Sequence, residues 1–113
     1  MKNFIEYLTH QQALSLANAE KLAATQRMDE SIVEKVRANI YGIFHTIAQM
    51  PDVTSEFMTK KMEQIPSAWH VSLENAVKHG DYEKETLERT KIAVMDEIKA
   101  AFDGIKGDFS DES

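Results

Sequence analysis

The residue types best suited to chemistry are concentrated in one stretch of the chain, IPSAWHVSLENAVKHGD, at residues 65–81. It contains the single tryptophan, Trp69, with two of the four histidines and one of the two prolines. His70 and Glu74 are four residues apart, so a helix would place them one turn apart on the same face. An imidazole beside a carboxylate can act as a general acid–base pair. The stretch therefore raises an enzyme hypothesis beside a purely structural one.

Metal binding is not predicted, because the histidines lack the spacing that helical bundles use. Di-iron bundles place a Glu-x-x-His pair on each of two helices, and no histidine here has a glutamate three positions before it. Glu6 and His10 are four apart, as in a surface pair. At about 100° per residue, His10 and His45 point about 180° and about 160° away from the predicted core faces of their helices. We expect no metal and no other cofactor.

Other catalytic patterns are also missing from the sequence. The chain has no cysteine, which excludes thiol catalysis, disulfides and cysteine-ligated zinc. It has neither a glycine-rich phosphate loop nor a G-x-S-x-G elbow. Carboxylates such as Glu83 and Glu85 alternate with lysines, as on a solvated helix face. We therefore favour a protein that is not an enzyme, and we rank an enzyme using His70 and Glu74 last.

Length and charge indicate the broad class of protein. A chain of 113 residues suits one domain with one core. The start, MKNFIEYLTHQQ, lacks the apolar run of a signal peptide, and no segment approaches the length of a membrane span. The 13 lysines and arginines are scattered and the net charge is −6, whereas nucleic-acid-binding proteins cluster positive charge. We expect a cytoplasmic protein that binds neither membranes nor nucleic acid.

Apolar residues recur at helical spacing along nearly the whole chain, which predicts an all-α fold. The first helix is expected to begin after Asn3 and to end near Gln26. Its inward face comprises Ile5, Leu8, Gln12, Ser15, Ala19, Leu22 and Gln26. The second is expected from Asp29 to Met50, because Pro51 cannot continue it. Its wholly apolar face, predicted to be the best buried surface, comprises Val33, Val36, Ile40, Ile43, Ile47 and Met50, and Ile32 and Phe44 widen it.

The remaining sequence predicts two more helices. Thr54 or Ser55 caps the third, and Pro66 kinks or splits it. Its inward stripe comprises Trp69, Leu73, Ala76 and Val77. The last helix follows Gly80 and Asp81 and buries Leu87, Lys91, Val94, Met95, Ile98, Ala101, Phe102 and Ile105. Because the turns are short, we predict an up-and-down antiparallel bundle of four main helices. It forms a single domain at residues 1–106, followed by an acidic flexible tail at residues 107–113.

A cluster of methionines near the proline is the first candidate binding site. Methionine side chains adapt to irregular shapes and are common on binding surfaces. A pocket for a small apolar ligand would be lined by Met58, Met62, Trp69, His70, Leu73 and Glu74. Alternatively, the same methionines would fill an irregular core beside Pro66, and we favour this alternative.

A pair of apolar residues on the first helix is the second candidate. Tyr7 and Leu14 are one heptad apart and lie away from the predicted inward face, a pattern that self-association would cover. We therefore predict a small non-enzymatic protein-interaction or regulatory module, as a homodimer or with a protein partner. A bundle that binds a small apolar ligand is the alternative function.

Overall fold

The structure, a computed structural model, describes residues 1–105. These residues form five helical segments and no strand: α1 (Lys2–Ala24), α2 (Met28–Ala48), α3 (Ser55–Gln64), α4 (Ser67–Lys78) and α5 (Tyr82–Ile105). Helix accounts for 86% of them, which confirms the all-α prediction. The predicted domain end at residue 106 and the predicted tail at residues 107–113 lie outside the described residues.

α1 and α2 form a tight antiparallel hairpin. In the short turn between them Gln26 adopts a φ of 61°, and the Arg27 N–H donates to the Leu22 carbonyl at 2.8 Å. Ser31 Oγ donates to the Ala19 carbonyl at 2.8 Å, which ties the two helices together. Small buried side chains let the two backbones approach closely: Ser15, Ala19, Ser31 and Ala38.

α3 and α4 form one bent arm. The Thr54 hydroxyl accepts a hydrogen bond from the Phe57 N–H at 3.1 Å and so caps α3, as predicted. Ile65 and Pro66 keep right-handed helical backbone angles between the two segments, and the arm bends by 18°. Proline cannot donate to the helical ladder, but its fixed φ suits a helix start. The third main helix is therefore kinked at Pro66.

Gly80 and Asp81 separate α4 from α5 at the predicted positions. Gly80 has a φ of 68°, in the left-handed region that glycine adopts without steric cost. An Asp81 carboxylate oxygen accepts a hydrogen bond from the Lys84 N–H at 3.1 Å, which caps α5. The tight turn sends α5 back antiparallel to α4.

The alternating helix directions leave α2 and α5 parallel to each other. Val33 near the start of α2 lines a cavity with Tyr82 at the start of α5. Further along, Tyr41 on α2 hydrogen bonds to Glu97 on α5. The two helices therefore advance in the same direction, and their N-terminal turns lie together at one end of the bundle.

The main core gathers towards the other end of the bundle. α1 contributes its first two turns, α2 its second half, α3 its methionines and α5 its second half. The buried members are Phe4, Leu8, Ile40, Tyr41, Phe44, Ala48, Met58, Met62, Val94, Met95, Ile98 and Phe102. The end where α2 and α5 begin is thus the less completely filled one.

The buried face of α2 is rotated from the predicted one. Ile43 and Met50 are 39% and 46% exposed, whereas Tyr41 and Phe44 are fully buried. Phe44 lies about 100° around the helix from Ile43. Burying two aromatic rings removes more apolar surface from water than burying isoleucine, and the small residues beside them allow close packing with α1. The predicted burial of Ile32, Ile43 and Met50 is therefore wrong, and that of Phe44 is confirmed.

Smaller differences occur in the other helices. α1 begins before Asn3, ends before Gln26, and buries Phe4, which the predicted inward face left out. Gln26 is exposed in the turn. Val77 of α4 is half-exposed rather than inward-facing, whereas its neighbour Ala76 is buried.

Candidate functional site

An open groove lies between the first turns of α2 and α5. The cavity there has a volume of about 470 Å³, and its apolar walls are Ile32 and Val33 on one side and Tyr82 and Leu87 on the other. Ile32 is 41% exposed and Tyr82 78% exposed. Large apolar side chains that a fold leaves together in water mark binding surfaces more often than isolated ones do.

The rim of this groove is acidic. Asp29, Glu30 and Glu83 line it, and no lysine or arginine does so among the described residues. Arg27 forms an ion pair with Glu30 just outside the lining. These carboxylates occupy first helical turns, where the helix dipoles favour negative charge. The groove therefore presents an apolar floor and a negative edge.

The apolar surface of α2 continues beyond the groove. Ile32, Val36 and Ile43 follow one another at helical spacing, and two of them are exposed by more than a third of their surface. They span about 16 Å of helix axis. This is the part of the predicted best-buried face that the fold leaves uncovered.

A second cavity of about 330 Å³ adjoins the groove and shares Glu83 and Leu87 with it. Its other lining residues are Val36, Asp81, Lys84, Glu88 and Lys91. Glu88 is only 6% exposed, and within residues 1–105 it is the one charged residue that is buried. One of its oxygens accepts a hydrogen bond from Lys91 Nζ at 3.0 Å. The other, Oε2, is buried and has no hydrogen-bond partner among the described residues.

A polar cluster holds α2 against α5 below these cavities. The Tyr41 hydroxyl donates to Glu97 Oε2 at 2.8 Å, and an Arg37 guanidinium nitrogen donates to the same oxygen at 3.1 Å. The Tyr7 ring packs edge-on against Tyr41 at 6.3 Å. Burial, with the Glu97 carboxylate, raises the pKa of Tyr41 well above its usual range, and the same two causes raise the pKa of Tyr7. The cluster keeps both phenols protonated and serves to position the helices.

We expect this cluster to make stability decrease in alkali. Because the folded-state pKa of Tyr41 lies above its unfolded value near 10, its contribution is complete below about pH 10 and is lost as the pH rises further. Tyr41→Phe should lower the free energy of unfolding by about 1 kcal/mol at pH 7 and flatten the decrease above about pH 10. Urea unfolding at a series of pH values measures both. An equally steep alkaline decrease in the variant would contradict the assignment.

The structure places the six predicted ligand residues in different surroundings. Met58 and Met62 are buried in the core, and Trp69 packs against it. His70 and Glu74 are exposed, and Leu73 is half-buried. A small-molecule pocket lined by all six stays a prediction.

The two predicted interface residues differ in how exposed they are. Tyr7 is half-buried, stacks on Phe4 at 6.4 Å and contacts Tyr41, so little of its ring is available to a partner. Leu14 is 48% exposed. A dimer interface at these two residues stays a prediction.

Sequence analysis missed the residues that define the two cavities. Glu88 had a detectable signal: it lies one heptad before Met95 and two before Phe102, both buried. A carboxylate at the head of an apolar heptad series is expected to turn inward. Tyr82 and Ile32 had no such signal, because their exposure depends on where α2 and α5 meet.

Two general findings concern the described residues alone. Within residues 1–105, no three or more histidine, aspartate or glutamate side chains are grouped so as to hold a metal ion. None of the five helices is both long enough and apolar enough to cross a bilayer.

Comparison with known proteins gives no indication of function. No protein-family model, curated protein or solved structure matches the chain.

Proposed function

We propose that this protein is a non-enzymatic interaction module that binds an amphipathic helix of a partner protein in the groove between α2 and α5. The observation that carries the proposal is the exposure of Ile32 and Tyr82 across a groove with an acidic rim. A helix laid in such a groove presents apolar residues at i, i+3, i+4 and i+7. On α2, the exposed Ile32 and Ile43 and the half-buried Val36 lie on one face and extend for about three turns.

The charge of the groove indicates the partner's polar face. Asp29, Glu30 and Glu83 would attract a helix whose flanks carry lysine or arginine. A second copy of this chain is a poorer occupant, because its own groove would bring another set of carboxylates. The partner is therefore expected to be a basic amphipathic segment of a different protein.

Peptide display tests the proposal with the full chain. The library fixes apolar residues at i, i+3, i+4 and i+7 of a helical peptide and varies the other positions among lysine, glutamate, glutamine and alanine. We expect the wild-type protein to enrich peptides rich in lysine. For these peptides, Ile32→Ser should weaken binding about thirtyfold, since an apolar anchor at an interface contributes about 2 kcal/mol.

Val71→Ser is the matched control, because Val71 is 60% exposed on α4 and does not line the groove. Its affinity for the selected peptides should equal that of wild type. Absence of enrichment, or equal binding by Ile32→Ser, would reject the groove. Enrichment of glutamate would reject the basic partner. A wild-type dimer in light scattering that Ile32→Ser dissociates would assign the groove to a second copy instead.

A further inference from the structure

One polar residue interrupts the apolar track that Ile32, Val36 and Ile43 form on α2. Asn39 follows Val36 by three residues and precedes Ile43 by four. At about 100° per residue it lies about 20° around the helix from Ile32 and about 40° from Ile43, so it shares their face. Its side chain is exposed. The track is therefore a continuous surface with an accessible amide in its middle.

The amide of Asn39 is not used by the fold. Its side chain makes no hydrogen bond within residues 1–105. Thr46, seven residues later, differs in this respect, because its hydroxyl donates to the Gly42 carbonyl at 3.0 Å and is already satisfied inside the helix. Asparagine is also a less favourable helix residue than leucine or alanine. Asn39 thus weakens α2 slightly and makes no compensating hydrogen bond in the described chain.

A helix docked along the track changes the surroundings of Asn39. It removes the amide from water, and an amide buried without a partner weakens binding strongly. An apolar side chain facing Asn39 would leave both the donor and the acceptor of the amide unmet. A lysine or glutamate there would bury its charge between Val36 and Ile43, which is costlier still. A second carboxamide satisfies Asn39, since it too offers one acceptor and an NH₂ donor.

We infer that Asn39 is a specificity-determining residue, which selects a partner helix with asparagine or glutamine at the inward position facing it. The inference rests on the proposed function, in which the acidic rim identifies the occupant of the groove as a basic helix. A single polar residue in an apolar seam sets the register of paired helices at some cost in affinity. Helices with a wholly apolar inward face are disfavoured for the same reason.

The positions of Asn39 and of the acidic rim define a pattern in the partner sequence. Asp29 lines the groove, and Asn39 lies about 15 Å further along the axis of α2. A helix lying alongside α2 advances by the same rise per residue. The carboxamide should therefore lie about ten residues from the lysine nearest Asp29.

A second displayed library tests the inference with the full chain. It is a helical peptide with lysine-rich flanks, about three heptads long, in which each inward position is either leucine or asparagine. We expect wild type to enrich peptides with asparagine at one inward position and leucine at the others. Leucine at every inward position of the enriched peptides would overturn the inference and leave the groove intact. Absence of any enrichment would reject the groove, and the inference with it.

A double-mutant cycle assigns the preference to Asn39. Asn39→Leu changes an exposed side chain, so the variant should fold as wild type does. It should bind the selected peptide about tenfold more weakly than wild type, because the asparagine of the peptide then lacks its partner. Replacing that asparagine by leucine should weaken binding to wild type about tenfold and restore binding to Asn39→Leu. Titration calorimetry measures the four affinities, and independent effects of the two changes would overturn the inference.

Asn75→Leu is the matched control, because Asn75 is exposed on α4 and lies outside the track. It makes the same chemical change, and both its enriched peptides and its affinities should equal those of wild type. A shift of its selection towards leucine would show an effect of surface apolarity in general and overturn the role of Asn39. A wild-type dimer in light scattering whose affinity Asn39→Leu alters would assign the track to a second copy and overturn the choice of partner.

Discussion

Replacing Phe4 with alanine is expected to lower the free energy of unfolding by about 4 kcal/mol. Phe4 is fully buried, and its ring meets that of Phe102 edge-on at 5.2 Å. It also stacks on Tyr7 at 6.4 Å. The change removes the aromatic contact that fixes the start of α1 to the end of α5, and leaves a cavity that the neighbouring helices cannot fully close. Urea unfolding followed by circular dichroism measures the loss.

Leu14→Ala provides the matched control for Phe4→Ala. It removes an apolar side chain from the same helix, but Leu14 is half-exposed. Its effect should stay within about 0.5 kcal/mol, as for most surface substitutions. Similar losses from the two variants would show that the first turns of α1 do not hold the bundle together.

Replacing Ala38 with leucine is expected to lower the free energy of unfolding by about 3 kcal/mol. Ala38 is 1% exposed among the small residues between α1 and α2. The hydrogen bond from Ser31 to the Ala19 carbonyl requires these backbones to stay close. A leucine would push the helices apart and lengthen that 2.8 Å bond. Thermal unfolding of the two proteins measures the difference.

Asn39→Leu is the control for Ala38→Leu, because Asn39 is the exposed neighbour on the same helix. Adding an isobutyl group there meets solvent rather than α1, so stability should change little. If Ala38→Leu were as stable as wild type, the close approach of α1 and α2 would be wrong.

The helices and their order were predictable because their signals are local. Pro66, Gly80 and the caps at Thr54 and Asp81 act within one turn of the chain, whatever lies around them. Short connections then leave few ways to pack the helices other than antiparallel. These features gave the up-and-down bundle from sequence.

The face that each helix buries was less predictable, because it depends on the neighbour. α2 has apolar residues around much of its circumference, so periodicity placed both Ile43 and Phe44 on the buried face and could not show that only Phe44 is covered. The small side chains of Ser31 and Ala38 determine which face of α2 is buried, because they allow α1 to pack closely against it. The uncovered isoleucines then became the floor of the candidate groove.

Glu88 shows that the candidate site was only partly predictable. Its heptad spacing before the buried Met95 and Phe102 indicated an inward side chain, but a glutamate between Leu87 and Arg89 also resembles ordinary surface charge. Its burial follows from the parallel approach of α2 and α5, a long-range property. The groove and the cavity beside Glu88 both depend on that approach.

The attachment of α3 distinguishes Met58 and Met62 from the exposed Met28 and Met50. Met58 and Met62 are the buried residues of that helix, so local opening of α3 exposes both thioethers without separating α1 from α2. Met28 and Met50 are already about half-exposed. Oxidation of the exposed pair is expected to leave the fold unchanged, whereas a polar sulfoxide at Met58 or Met62 is expected to disfavour return to the core and hold α3 open. Oxidation of these two core methionines should therefore depend on how often one short helix opens.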